Sequence, residues 1–309
     1  MENDSRIYIP GHESMIGTAI LKCLQENGHF NTIVVPSDKL DISNQEKVKE
    51  FFKAEKPEYV FMTAGKVGGI VDNSTHPAEF IYYNMIVESN IIHSSWLSGV
   101  NKLLFLGSSC AYPRDCPQPM KEEYLLTGKL EPTSEPYAIA KIAGMKMCQA
   151  YNAQYKTNYI SVIPADVYGP NDDFNPATAH VFPALLARFH AAKHDKDPDI
   201  AVWGSGSPKR ELFHVDDLAE ACIFLMQYYD DTAVINAGCG EDISIKDMAY
   251  MIKNIVGFEG SIKFDLSKPD GMPRKLLDIG KLRNMGWTPR ISLRQGISGT
   301  YEWYLNHQA

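Results

Sequence analysis

Tyr137-Ala138-Ile139-Ala140-Lys141 places a phenol and an ammonium four residues apart. On a helix these positions share one face, so both side chains can meet one ligand. A tyrosine titrates near about 10 and is a poor proton donor or acceptor at neutral pH. A neighbouring ammonium favours the phenolate and is expected to lower that value. The pair suits carbonyl reduction, in which the tyrosine protonates oxygen while hydride reaches carbon. Gly107-Ser108-Ser109-Cys110 adds hydroxyls able to hold the same oxygen. Gly11-His12-Glu13-Ser14-Met15-Ile16-Gly17 reads as a strand–glycine–helix junction. There the backbone approaches a pyrophosphate and the helix N-terminus favours its charge. Ser14 stands where a middle glycine is usual. Each motif alone is common in unrelated proteins, whereas all three in this order are not.

These residues need a scaffold. Residues 6–10, 32–36, 59–62, 102–106 and 159–164 read as strands, and 15–27, 44–54, 77–99 and 136–155 as helices. Such alternation predicts an α/β fold: a Rossmann-like, doubly wound parallel sheet with helices on both faces. Open sheets of this type bind ligands at the carboxyl ends of their strands, where the motifs fall. After Asp166 the segments shorten. A helix is expected over 181–192 and a strand over 200–203, while 215–229 and 233–236 return to the sheet as helix and strand. Residues 244–257, 262–264 and 291–306 predict a smaller C-terminal α/β lobe. The expected division is 1–166 (with 212–240) for the dinucleotide-binding domain, and 167–211 with 241–309 for the second lobe.

Bulk properties narrow the class. The 309 residues suffice for one large unit with a smaller lobe. An apolar fraction of 44% with 22% charged residues is that of a globular enzyme. A net charge of −8 argues against general attraction to nucleic acid or an anionic membrane. No apolar run is long enough to span a bilayer, and residues 1–5 lack a signal-type stretch, so a cytoplasmic location is expected. The cysteines, Cys23, Cys110, Cys116, Cys148, Cys222 and Cys239, form no C-x-x-C pair. This predicts neither a metal cluster nor a disulfide framework.

The glycine loop, the serine after the fourth strand and Y-x-x-x-K together resemble the extended short-chain dehydrogenase/reductase superfamily. Longer runs resemble the GDP-L-fucose synthase family over nearly the whole chain. They include Gly65-Lys66-Val67-Gly68-Gly69-Ile70, Glu88-Ser89-Asn90-Ile91-Ile92-His93, Leu104-Phe105-Leu106-Gly107-Ser108-Ser109-Cys110 and Glu135-Pro136-Tyr137 through Gly144. Tyr168-Gly169-Pro170, His180-Val181, Val202-Trp203-Gly204-Ser205-Gly206, Lys268-Pro269-Asp270-Gly271 and Pro273-Arg274-Lys275-Leu276-Leu277-Asp278 continue the match.

The resemblance implies epimerisation of a GDP-linked 4-keto sugar at C3 and C5, then reduction at C4. It implies Cys110 as base, His180 as acid, Ser108 and Tyr137 at the C4 oxygen, and Lys141 tuning Tyr137. It implies a cofactor site of Gly11, His12, Glu13, Ser14, Met15, Ile16, Gly17, Ser37, Asp38, Leu40, Asp41, Leu106, Gly107, Ser109, Lys141, Pro164, Asp166, Val167 and His180. Substrate would meet Lys66, Val67, Gly68, Arg188, Trp203, Arg210, Asp270 and Lys275. A homodimer through a four-helix bundle, built from the helices near 77–99 and 136–155, is also implied.

Departures from the family pattern carry information. Glu13 and Ser37 stand where bacterial members usually have arginines facing the 2′-phosphate of NADPH. NADP(H) follows from the resemblance, while losing two cations relaxes that preference toward NAD(H). Asp166 replaces a usual asparagine. A GDP-4-keto-heptose or a GDP-4-keto-3,6-dideoxy sugar is the alternative substrate. A sugar 4,6-dehydratase would need a Thr-Asp-Glu set after the fourth strand, which Ser108-Ser109-Cys110 lacks. A 4-epimerase with tightly held NAD would need neither Cys110 nor His180.

Overall fold

Runs of β-branched and aromatic residues become central strands, and the segments between them wind over the sheet as helices. The computed structural model describes residues 1–175, 178–268 and 270–307. Pro269 of the matched run Lys268-Pro269-Asp270-Gly271, and the end of the expected lobe at 308–309, lie outside them. The first half comprises β1 (Ile7–Tyr8), α1 (Met15–Glu26), β2 (Thr32–Ile33), α2 (Gln45–Glu55), β3 (Tyr59–Met62), α3 (Ile70–Thr75), α4 (Pro77–Leu97), β4 (Lys102–Leu106), α5 (Glu135–Tyr155) and β5 (Tyr159–Pro164). The second half comprises β6 (Asp166–Tyr168), α6 (Val181–Asp195), β7 (Asp199–Trp203), β8 (Lys209–Arg210), β9 (Leu212–His214), α7 (Val215–Tyr228), β10 (Ile235–Ala237), β11 (Ile243–Ser244), α8 (Ile245–Val256), β12 (Ser261–Asp265), β13 (Arg274–Lys275), α9 (Gly280–Asn284) and α10 (Leu293–His307).

The main sheet has the order β10-β5-β4-β3-β1-β2, with every neighbouring pair parallel. The winding reverses between β1 and β3, the switch point at which such sheets bind ligands. β4 and β5 are buried along their whole length, as central strands covered on both faces must be. The strands expected over 6–10 and 32–36 are shorter than read, since Pro10 and Pro36 bring no N–H to the ladder. Helix α1 packs on α7, and α4 packs on α2 and α5, so the two groups cover opposite faces.

Local capping marks where helices begin. Asn44 accepts the Lys47 N–H ahead of α2, and Ser244 accepts the Asp247 N–H ahead of α8. Apolar burial falls into two clusters. The first gathers the main-sheet strands with α1, α4, α5 and α7; the second gathers α6, β7, α8 and α10 around Phe182, Phe189 and Met248. Leu277, Ile279, Leu282 and Trp287, expected in the second lobe, pack on the first cluster. The chain comes back to the sheet there because β13 delivers it across β8. No described helix is long and apolar enough to cross a membrane.

Candidate active site

β4 ends in one tight turn, Ser109–Ala111, capped by Ser108, whose Oγ accepts the Cys110 N–H at 3.2 Å. Opposite this turn, α5 begins with Pro136 in its first turn, where the missing N–H is harmless. Tyr137 and Lys141 follow one turn apart and both are buried. The Ser108 hydroxyl stands near enough to the Tyr137 phenol to favour its ionised form slightly.

The lowering expected for Tyr137 does not occur. Burial holds the phenol above its ordinary range and outweighs the pull of Lys141. The physical reason is desolvation of the phenolate, which the Lys141 ammonium, shared with Glu88, does not offset. Lys141 Nζ lies 5.9 Å from the Tyr137 ring centroid but 3.1 Å from Glu88 Oε1. Burial works against that ammonium, but Glu88 and then Tyr137 outweigh it and keep the lysine charged. Tyr137 is therefore a neutral phenol near pH 7, suited to giving a proton.

A second cluster meets the first at Cys110. Lys275 Nζ lies 3.6 Å from Cys110 Sγ, 3.5 Å from Ser109 Oγ and 3.5 Å from Asp166 Oδ1. Arg210 Nε lies 3.9 Å from Asp166 Oδ2. Burial opposes the Asp166 charge, yet Lys275, Arg210 and His180 outweigh it, so the carboxyl titrates below its usual range. His180 is exposed to solvent on one side; the protein packed around the rest of its imidazole pulls it below its ordinary value, with Asp166 opposing. The segment before His180 is tied to the Gly65–Gly69 loop, since Gly69 N donates to Thr178 O at 2.7 Å.

Glu211, which sequence reasoning passed over, places Lys275. It is buried and accepts the Leu277 N–H at 2.7 Å and the Gly240 N–H at 2.6 Å, pinning the strand that carries Lys275. Burial pushes its carboxyl up to about 7. A carboxylate between a cationic residue and an apolar strand, as in Arg210-Glu211-Leu212, was the available signal.

The glycine loop fits a dinucleotide. Gly11 has φ +85°, a conformation that favours glycine, and a Cβ on Gly17 would collide with the Gly11 carbonyl. Ser14 does not obstruct the turn. Its Oγ donates to Gly11 O at 2.7 Å and accepts the Gly17 N–H at 3.1 Å, capping α1. The Met15 and Ile16 N–H groups stay at the helix mouth, where a phosphate is favoured.

The model of the NAD dependent epimerase/dehydratase family matches residues 7–238. The chain is 50% identical over 306 residues to GDP-L-fucose synthase 1 of Arabidopsis thaliana, spanning 99% of this chain and 95% of that one. It is 49% identical over 312 residues to the GDP-L-fucose synthase of Escherichia coli (strain K12), spanning 98% and 97%. The chain belongs to the GDP-L-fucose synthase family. A crystal structure of a GDP-6-OMe-4-keto-L-xylo-heptose reductase from C. jejuni superposes with a TM-score of 0.94 at 39% identity, covering 99% of each chain.

Several residues that the family pattern singles out lie apart from Cys110. Asp270 accepts the Ser205 N–H at 2.8 Å and the Ser205 hydroxyl at 2.7 Å, shaping the loop after Trp203. Trp203 is exposed, with Lys268 Nζ 5.3 Å above its ring. Arg188 donates to the Ala201 carbonyl. Among the described residues none of these three bonds to the Cys110 group. Lys66 pairs with Glu79 beside exposed Val67, and Gly68 packs against Asp72 and Phe80. Asp41 accepts from Ser43 to form the turn before α2, after buried Leu40. Leu106 closes β4 with Gly107 following it, Pro164 closes β5, and Val167 lies in β6. His12 N donates to Ile9 O within the glycine loop. At the family's arginine positions, Glu13 Oε2 instead accepts the Ser37 N–H at 3.2 Å, and Asp38 pairs with Lys39 at 3.3 Å.

Proposed function

We propose that this chain epimerises a GDP-linked 4-keto-6-deoxy sugar at C3 and C5 and reduces it at C4, yielding GDP-L-fucose or a close analogue. The observation that carries the reading is the meeting, at the end of β4, of Ser108 and Tyr137 with Cys110. A proton beside a ketone is acidic only because the carbanion spreads onto oxygen. Ser108 and Tyr137 hold that oxygen as charge develops on it. Cys110 takes the carbon-bound proton from one face, and His180 returns one from the other. Tyr137, neutral in its buried setting, then protonates the C4 oxygen. The nicotinamide, when bound at the glycine loop, supplies the hydride. Lys141 is assigned to its ribose, and Arg210 and Lys275 to the GDP-sugar, whose diphosphate suits the guanidinium fork of Arg210.

The cofactor reading follows from charge. Glu13 Oε2 accepts the Ser37 N–H, which puts a carboxylate where the family resemblance implies a 2′-phosphate of NADPH. That phosphate loses attraction, so NADH serves alongside NADPH.

The test is incubation with GDP-4-keto-6-deoxy-mannose in D₂O with either cofactor, following absorbance and product deuteration. Cofactor oxidation with deuterium at C3 and C5 is expected with both. Oxidation without deuterium would leave a simple 4-reductase and remove the epimerase half. A Kd for NADPH tenfold or more below that for NADH would overturn the cofactor reading. The likeness to the C. jejuni heptose reductase favours a GDP-4-keto-heptose as second substrate, to be run in parallel.

We infer a homodimer through α4 and α5. Tyr82, Met85 and Leu97 on α4, and Ile139 and Tyr155 on α5, are exposed apolar side chains on two helices that pack together. Two such pairs would bury this surface as a four-helix bundle. Sedimentation should give a dimer at micromolar concentration and a monomer for Met85→Glu/Ile139→Glu. A monomeric unaltered chain would exclude the bundle.

A further inference from the structure

Helix α4 lies behind the reduction pair and carries a carboxylate where an apolar residue would pack. Glu88 and Lys141 have side-chain exposures of 2% and 6%, and their charged atoms are 3.1 Å apart. Among the described residues neither Glu88 oxygen has a hydrogen bond of good geometry, and burial pushes the carboxyl above its usual range against the opposing pull of Lys141, so the ammonium 3.1 Å away is what favours its charge. Ionised groups taken this far from water persist only when paired.

The surroundings are shaped around the pair. Gly144 faces it from α5, and a Cβ there would stand 2.7 Å from Glu88 Oε2 and collide with the Phe105 ring. The Phe105 ring centroid lies 5.1 Å from Lys141 Nζ on the sheet side. Tyr137 faces the ammonium from the start of α5. One turn before Glu88 on α4, Asn84 Oδ1 accepts the Lys66 N–H at 2.9 Å and Asn84 Nδ2 donates to Lys66 O at 3.0 Å. Gly65, in that clamped loop, approaches Lys141 so closely that its Cβ position is 3.7 Å from Nζ. Positions 84 and 88 are four apart and share one helix face. That face therefore holds two things at once: the Gly65–Lys66 loop and the Lys141 ammonium.

We propose that Glu88 is a positioning residue for the reduction half of the reaction, anchoring Lys141 so that its ammonium faces Tyr137 and the nicotinamide ribose. The proposal rests on the reading that Tyr137 and Lys141 carry the reduction. Among the described residues Glu88 pairs with Lys141 and makes no hydrogen bond or ion pair with Cys110, Asp166 or Lys275, so the epimerase half is predicted not to depend on it. A carboxamide in its place keeps shape but withdraws the charge that holds the ammonium.

The test uses the full chain and three readouts: cofactor oxidation with GDP-4-keto-6-deoxy-mannose, deuterium uptake at C3 and C5 with oxidised cofactor present, and NADPH affinity without sugar. Glu88→Gln is expected to slow oxidation about 10- to 100-fold and to leave deuterium uptake within about threefold. NADPH affinity should weaken by about three- to tenfold. In Glu88→Gln/Lys141→Gln, oxidation should be no slower than in Lys141→Gln alone, because Glu88 acts only through the lysine. Unchanged oxidation, an equal loss of oxidation and deuterium uptake, or further slowing in the double variant would each overturn the proposal. If Glu88→Gln does not fold, the neutral pair still decides it by the same comparison. If the unaltered chain leaves the sugar untouched, the functional reading has failed. Glu88 is then judged on NADPH affinity alone, where no change overturns it.

Discussion

Tyr137→Phe lowers cofactor oxidation by about 10²- to 10⁴-fold while deuterium uptake at C3 and C5 continues. The phenol stands beside Ser108 at the end of β4, near the expected C4 oxygen. Phenylalanine keeps the ring packed edge-on against Phe80, at a centroid distance of 6.2 Å, so the fold should be unaffected. Enolate formation keeps Ser108 as a donor and slows less than reduction does. The pH profile carries a second signature. Burial holds Tyr137 above its ordinary range, and the acid is active while protonated. Its contribution is lost only as pH rises through that raised value, so reduction shows no alkaline limb from this group below about pH 10. Stopped-flow absorbance across pH, paired with mass spectrometry of the recovered sugar, checks both statements. Deuterium uptake abolished along with oxidation would remove Tyr137 from a reduction-specific role.

Cys110→Ala gives the converse split. Solvent exchange at C3 and C5 falls by about 10²- to 10⁴-fold, since the carbon-bound proton loses its acceptor. Reduction machinery on α5 remains intact, so a substrate already carrying the product's C3 and C5 configurations should still be reduced within about tenfold of the unaltered rate. Lys275 loses a partner at 3.6 Å but keeps Asp166 at 3.5 Å, so its position should persist. NMR of exchange in D₂O and cofactor absorbance on the pre-epimerised sugar make the comparison. Normal exchange in the alanine variant would assign the base elsewhere.

The two splits together give the chain two half-sites sharing one ketone oxygen. Ser108 belongs to both, which is why its turn is held so closely: its own Oγ accepts the Cys110 N–H and also reaches Tyr137. Asp166, where the family usually has asparagine, finds a physical account here. It pairs with Lys275 and Arg210, the two cations assigned to the GDP-sugar, and so supplies an internal counter-charge beside Cys110.

The sequence by itself determined the strand–helix alternation, the doubly wound parallel sheet and the strand ends that carry the motifs. These are local or short-range properties: apolar runs, caps such as Ser14 and Asn44, and a four-residue spacing that puts Tyr137 and Lys141 on one face. The two- and three-residue strands β6, β8, β9, β11 and β13 escaped it, because so few residues show no period. Tertiary structure alone decided the electrostatics. Lys275 reaches Cys110 across a separation of 165 residues, placed by Glu211 and by pairing with β8. Burial, a property of the whole fold, turned Tyr137 upward where its spacing to Lys141 argued for the reverse. Glu88 reads in sequence as one more helix residue; only the packing of α4 on α5 brings it to Lys141, because charge acts through distance and desolvation rather than along the chain.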